Sequence, residues 1–162
     1  MLSLLRDSKT IWILLAATVA LAIGFQLATP LTGAALLDSS AALEDSQVLL
    51  QAMSAEQKRA HLWITVLLDV PFPFAYGGLF LGLCLRHGGK YALWLAAPAF
   101  LVIPVDLIEN TVQVIALLGN ESLLPTKEVL TPTKFTLVYT AAVIALGSLS
   151  IRLLLRTTKK FS

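Results

Sequence analysis

Four long apolar runs, at residues 11–28, 62–85, 91–118 and 132–155, constrain this chain more than any other feature. A helix needs about 20 predominantly apolar residues to cross a hydrocarbon core, and each run is long enough for that. Barrel strands alternate lipid-facing and lumen-facing residues, and these runs do not alternate. The sequence therefore predicts an all-α membrane protein, a bundle of four transmembrane helices. The helices are expected over residues 10–29, 56–86, 91–118 and 131–156, within a single domain covering 1–162.

Composition narrows the function classes. Of 162 residues, 57% are hydrophobic and only 14% are charged, against about 25% charge in an average soluble domain. That excludes a soluble enzyme, a disordered tail and a nucleic-acid binder. The single Cys84 excludes an internal disulfide framework and reads as a packing residue.

Local chemistry marks several helix ends. Ser54-Ala55-Glu56-Gln57 has capping-box spacing, so the second helix begins before its apolar run. Thr131-Pro132 reads as an N-cap followed by proline at the first helical position of the fourth helix. Arg86-His87-Gly88-Gly89-Lys90 reads as a tight turn between the second and third helices.

Lysine and arginine placement sets the expected orientation. With both termini cytoplasmic, Arg6, Lys9, Arg86, Lys90, Arg152, Arg156, Lys159 and Lys160 lie inside. Lys58, Arg59, Lys127 and Lys134 then lie outside, so eight basic residues face four. The expected location is a bacterial inner membrane, with the 152–160 stretch anchoring to the anionic inner leaflet. Trp12, Trp63, Tyr91 and Trp94 sit near span ends, as interfacial anchors do. A signal peptide cleaved within 29–35 is the rival reading of the N-terminus. Its apolar stretch exceeds the about 7–15 residues of a typical signal core, which favours a retained helix. The first outer loop, 30–55, is long, and its 41–53 segment reads as an amphipathic helix on the outer leaflet or over the bundle. Asn120-Glu121-Ser122 matches a glycosylation acceptor, a pattern short enough to arise by chance.

Small residues suggest how the helices meet. Ala16, Ala20, Gly24 and Ala28 recur at every fourth position of the first helix, Gly78 and Gly82 form a GxxxG in the second, and Ala141 and Ala145 share that spacing in the fourth. Such stripes let backbones approach closely in lipid. They serve packing within the bundle, or a homodimer or partner-subunit face.

Three carboxylates interrupt the apolar runs: Asp69 in the second helix, Asp106 and Glu109 in the third. A charge near the bilayer centre costs about 2.5–3.5 kcal/mol even on the lenient insertion scale, so these acids are functional candidates. His61, Thr65, Asp69 and Tyr76 fall within an arc of about 80° at 100° per residue. Asp106, Glu109, Asn110 and Gln113 fall within about 100° by the same count. At 1.5 Å per residue, Asp69 lies ~12 Å beyond His61, while Glu109 and Asp106 lie ~14 and ~18 Å before Leu118. The acids therefore share a depth, in the outer half of the membrane. Prolines bracket them in Asp69-Val70-Pro71-Phe72-Pro73 and Pro104-Val105-Asp106, and the kinks they predict expose carbonyls tolerated only in an interior. Lys134 either reaches down to Asp106 or Glu109 or snorkels to the interface.

These residues predict a pocket for a membrane lipid or small amphiphile, contacted by Asp69, Tyr76, Asp106, Glu109, Asn110, Gln113 and Lys134. Asp69, Asp106, Glu109 and His61 are the candidates if the site performs acid–base chemistry of the isomerase type. A non-catalytic accessory subunit of a larger membrane complex is the other alternative. No metal and no cofactor is expected, because His61 and the acids lack HExxH or paired-histidine spacing.

Phe72-Pro73-Phe74-Ala75-Tyr76-Gly77 after an acid, with Pro104-Val105-Asp106-Leu107-Ile108-Glu109-Asn110, resembles small four-helix bacterial membrane proteins without an assigned activity. That resemblance covers mainly the second and third helices and implies no activity. In topology the chain is also similar to the EXPERA family of emopamil-binding-like proteins. They share four helices, cytoplasmic termini, a long first outer loop and acids near a pocket within the membrane. That likeness implies binding of sterol-like or other lipophilic amines, and in some members sterol isomerisation. Asp69 and His61 would fall near the family's acidic second-helix region; the third-helix acids and the surrounding motif differ.

Overall fold

A computed structural model describes residues 2–32 and 36–158 of the chain. Lys159 and Lys160 of the expected basic set therefore lie outside the described residues. All regular structure among the described residues is helical, and four helical stretches are long and apolar enough to cross a membrane. They are Ser8–Pro30, Ala55–His87, Gly89–Leu117 and Leu124–Leu155.

A short helix α1 (Leu2–Leu5) precedes α2 (Ser8–Thr32), and no described residue of either is buried. After a 3-10 turn at Leu37–Ser39, α3 (Leu43–Ala52) occupies the first connection. The second span opens with α4 (Ala55–Ile64). Its cap is reciprocal: the Ser54 hydroxyl accepts the Gln57 N–H at 3.2 Å, and the Gln57 side chain accepts the Ser54 N–H at 2.8 Å.

The two prolines of this span leave a π turn rather than a simple kink. Pro71 and Pro73 have no N–H to offer the Leu67 and Asp69 carbonyls. Residues Thr65–Asp69 widen into π geometry, with the Val70 N–H bonded to the Thr65 carbonyl at 2.9 Å. The extra residue sets Asp69 within the widened turn, before α5 (Phe72–His87) resumes. Gly89, at φ 59°, occupies the left-handed conformation that glycine favours and turns the chain. The third span then consists of α6 (Ala92–Leu95) and α7 (Ala97–Leu117). α7 ends in a Schellman motif: Gly119, at φ 99°, bonds back to Ala116, and the Asn120 N–H reaches the Ile115 carbonyl at 3.1 Å.

The fourth helix departs from expectation. Thr131-Pro132 does not cap it, because α8 (Lys127–Thr158) begins about one turn earlier, after a 3-10 turn at Leu124–Thr126. Burial of Leu124 and Lys127 rewards the earlier start, and Pro132 forfeits one helical hydrogen bond inside the helix. Lys127, Thr131, Lys134, Ala141 and Ala145 are all buried, and their spacing sets them on one face.

Two packed clusters close the ends. Leu37, Leu50, Met53, Ala116, Leu117 and Leu124 form an apolar cap where the first and third connections meet. Leu79, Leu83, Cys84, Leu85, Ala92, Ala96 and Ala145 form the core toward the Gly88-Gly89 turn. The small residues meet neighbours of the same chain. A Cβ on Gly78 would lie 3.3 Å from Leu14, one on Gly24 3.3 Å from Leu68, and one on Gly82 2.6 Å from the Leu5 carbonyl. Ala16 and Ala20 are the exposed members of the α2 stripe.

Candidate functional site

Between the two cores lies an ionic cluster drawn from three parts of the chain: the Leu37–Ser39 turn, α7 and α8. Lys134 of α8 is its centre, with its ammonium 2.6 Å from Asp38 Oδ1, 2.6 Å from Glu109 Oε2 and 3.6 Å from Asp106 Oδ1. Of the two alternatives for Lys134, the inward reach is the one observed. Lys127, fully buried one turn before Thr131, donates to the Leu37 carbonyl at 2.6 Å and lies 3.7 Å from Glu109 Oε1. The Thr131 hydroxyl donates to Glu109 Oε1 as well. Glu109 thus meets both lysines and a hydroxyl, so its charge is compensated inside the protein.

Asp38 enters from the 3-10 turn and accepts from both Lys134 and the Gln113 amide, the latter at 2.8 Å. Burial by itself would raise its carboxyl, but the adjacent Lys134 ammonium, with help from Gln113 and Lys127, holds it below the usual carboxylate range. His61 helps to seat the same turn, its Nε2 accepting the Leu37 N–H at 3.4 Å. Asp38, Lys127 and Thr131 were not singled out by sequence reasoning, and all three belong to the cluster.

Below this cluster a cleft of about 240 Å³ opens among α2, α5, α7 and α8. Asp38, Asp69, Asp106 and Lys134 supply its polar lining, together with Tyr76 and Thr18. Its apolar wall includes Phe72 and Phe80, which flank Tyr76 at successive turns of α5 with ring centroids 5.1 and 6.1 Å from it. The Tyr76 hydroxyl donates to Asp106 Oδ2 at 2.6 Å.

Of the seven expected ligand contacts, Asp69, Tyr76, Asp106 and Lys134 line the cleft. Glu109, Asn110 and Gln113 are buried but do not line it, and neither does His61. These four lie nearer the apolar cap, where Asp38, Lys127 and the Leu37 backbone engage all of them except Asn110. Asn110 makes no side-chain hydrogen bond among the described residues.

Asp69 stands apart from the other acids. It is 4% exposed and lines the cleft, yet its carboxyl has no hydrogen bond or salt bridge to a described residue. Four carboxylates, Asp38, Asp69, Asp106 and Glu109, share this interior with two ammonium groups, Lys127 and Lys134. With every group ionised the interior carries an excess of two negative charges. No group of three or more His, Cys, Asp or Glu among the described residues has the arrangement to hold a metal ion.

An all-helical chain with four apolar spans fits an integral membrane protein. No protein-family model, no curated protein and no solved structure matches the chain.

Proposed function

We propose that this protein binds a lipid or small amphiphile in the cleft below the ionic cluster. The observation that carries this reading is the Asp69 carboxyl, buried at the cleft wall with no hydrogen bond or salt bridge to a described residue. A buried polar group is normally hydrogen-bonded, and a buried charge is normally paired. A ligand head bearing a positive charge or hydrogen-bond donors would complete Asp69 and offset the negative excess that full ionisation would leave. The aromatic wall of Phe72, Tyr76 and Phe80 suits an apolar body and offers ring faces to a cation. In the orientation favoured by the basic residues, both termini are cytoplasmic, the cleft lies in the outer half of a bacterial inner membrane, and the 36–54 connection covers its outer end.

The test is native mass spectrometry of the full chain extracted in mild detergent. The expected result is a retained amphiphile in the native protein, lost in Asp69→Asn and in Asp106→Asn while both variants remain folded. Retention that is identical in both folded variants would refute the cleft as the binding site. The accessory-subunit reading has its own support, because no described residue of α2 is buried and Ala16 and Ala20 face outward. Co-extraction of a stoichiometric membrane partner, released by Ala16→Leu and Ala20→Leu, favours that reading.

A further inference from the structure

A second cavity lies toward the other end of the bundle, away from the buried lysines. It measures about 610 Å³, within the about 300–1,000 Å³ common for ligand sites. Three helices wall it with apolar side chains: Ile11 and Leu15 from α2, Leu79 and Leu83 from α5, Leu146 and Leu149 from α8. Arg86 and Arg152 also line it, and both arginines are exposed. No aspartate or glutamate is among the described residues of its lining. Arg86 donates one Nη1–H to the Arg6 carbonyl at 3.3 Å, one of the five donors a guanidinium carries.

Depth places the arginines at headgroup level. Lys134 and Arg152 are 18 residues apart on α8, about 27 Å of helix. That approaches the about 30 Å of a hydrocarbon core, so the two charged regions lie near opposite faces of the membrane. The six residues from Phe80 to Arg86 span about 9 Å of α5. Phe80 lines the groove on one side and the acidic cleft on the other, so the two cavities run end to end along one seam.

We infer that this groove holds an anionic glycerophospholipid, its phosphate between Arg86 and Arg152 and an acyl chain along the leucine walls toward Phe80. Guanidinium groups match phosphate oxygens bidentately. Close dispersion contacts with the leucine walls fix the chain, since water exclusion contributes nothing between lipid and protein inside a bilayer. Inorganic phosphate would use only the arginines, and a neutral lipid only the walls. The combination selects the anionic lipid, which is enriched in the leaflet where the basic residues place this end.

The test offers the full chain in detergent an equimolar mixture of phosphatidylglycerol and phosphatidylcholine with identical acyl chains, read by native mass spectrometry. The native protein is expected to retain phosphatidylglycerol about tenfold over phosphatidylcholine, the scale of one charge-assisted contact. Arg86→Gln with Arg152→Gln should bring the ratio close to one, and Leu15→Trp, which fills the groove from α2, should reduce retention of both lipids. Asp69→Asn should leave the ratio unchanged, because the acidic cleft is a separate site. Equal retention by the native chain, or a preference surviving the double arginine variant, overturns the inference. So does loss of the preference in Asp69→Asn, displacement by millimolar inorganic phosphate, or a second copy of the chain bound in place of lipid.

Discussion

Replacing Lys134 with methionine tests whether the ionic cluster holds the bundle together. Methionine keeps most of the apolar stem and removes the ammonium. The residue is 3% exposed, and its Nζ serves Asp38 and Glu109 at 2.6 Å each and Asp106 at 3.6 Å. Removing one partner of a buried ion pair costs about 3–5 kcal/mol, because the charge left behind stays out of water. Each stranded acid keeps one compensation: Gln113 still donates to Asp38, Tyr76 to Asp106, and Lys127 and Thr131 remain on Glu109. The expected loss is therefore near the low end, about 3 kcal/mol, or roughly two orders of magnitude in the folding constant. Reversible unfolding in mixed micelles by a denaturing detergent, followed by tryptophan fluorescence, would measure it. Lys134→Arg should lose much less, since it keeps the charge. Lys134→Met combined with Asp38→Asn should recover about 1 kcal/mol relative to additive losses, because the two groups touch. A loss below about 1 kcal/mol for Lys134→Met, the size of an exposed pair, would refute the claim that this network is a structural centre.

Asp69→Asn should leave the unfolding midpoint unchanged or raise it slightly, since the carboxyl it removes makes no hydrogen bond or salt bridge to a described residue; a large loss in the same assay would show that Asp69 is bonded after all. Gly82→Ala should cost about 1–3 kcal/mol and expose the N-terminal segment to protease, because its Cβ would meet the Leu5 carbonyl at 2.6 Å. Gly147→Ala, with nothing within 4 Å of its Cβ, should instead stabilise α8 by about 0.5–1 kcal/mol, read as a higher midpoint. Because folding lowers the Asp38 carboxyl below its ordinary 3.8, its stabilisation is complete above that value and is lost as pH falls through the lower, folded value. The midpoint should therefore drop on acidification below about pH 4, and Asp38→Asn should flatten part of that slope.

The spans were legible because apolar length is a one-dimensional signal that requires no knowledge of packing. The Ser54 capping box was equally legible, since both of its hydrogen bonds close within four residues. Chain geometry after the prolines was harder to read. Missing N–H groups predict a local disturbance, but whether the helix kinks or gains a residue depends on which carbonyl finds a new donor. Here the Val70 N–H reaches back to Thr65, and the π turn results. An arc drawn at a constant 100° per residue across that insertion joined His61 to Asp69 and Tyr76. The structure separates them, with His61 under the Leu37 turn and the other two in the cleft.

The same logic explains why half of the ionic cluster escaped notice. Thr131-Pro132 has the local look of a helix start, and that reading left Lys127 in a loop, where a lysine needs no partner. Carrying the buried face of α8 back from Ala145 and Ala141 through Lys134 would have reached Thr131 and Lys127 at helical spacing, although Pro132 lay between. Charge accounting points the same way. Three acids inside apolar runs faced one nearby lysine, and the cost of burying an unpaired carboxylate demands further partners. The four apolar runs contain no other lysine or arginine deep enough to help, so a residue outside those runs had to supply one. Lys127 answers that demand, but Asp38 arrives with it, so four acids share the interior with two lysines. A fold selected only for stability would gain by dropping Asp69, since it neutralises no lysine once Asp38, Asp106 and Glu109 are present. Its presence in this interior, on the wall of the cleft, is the physical reason to seek a matching positive charge or donor in a ligand.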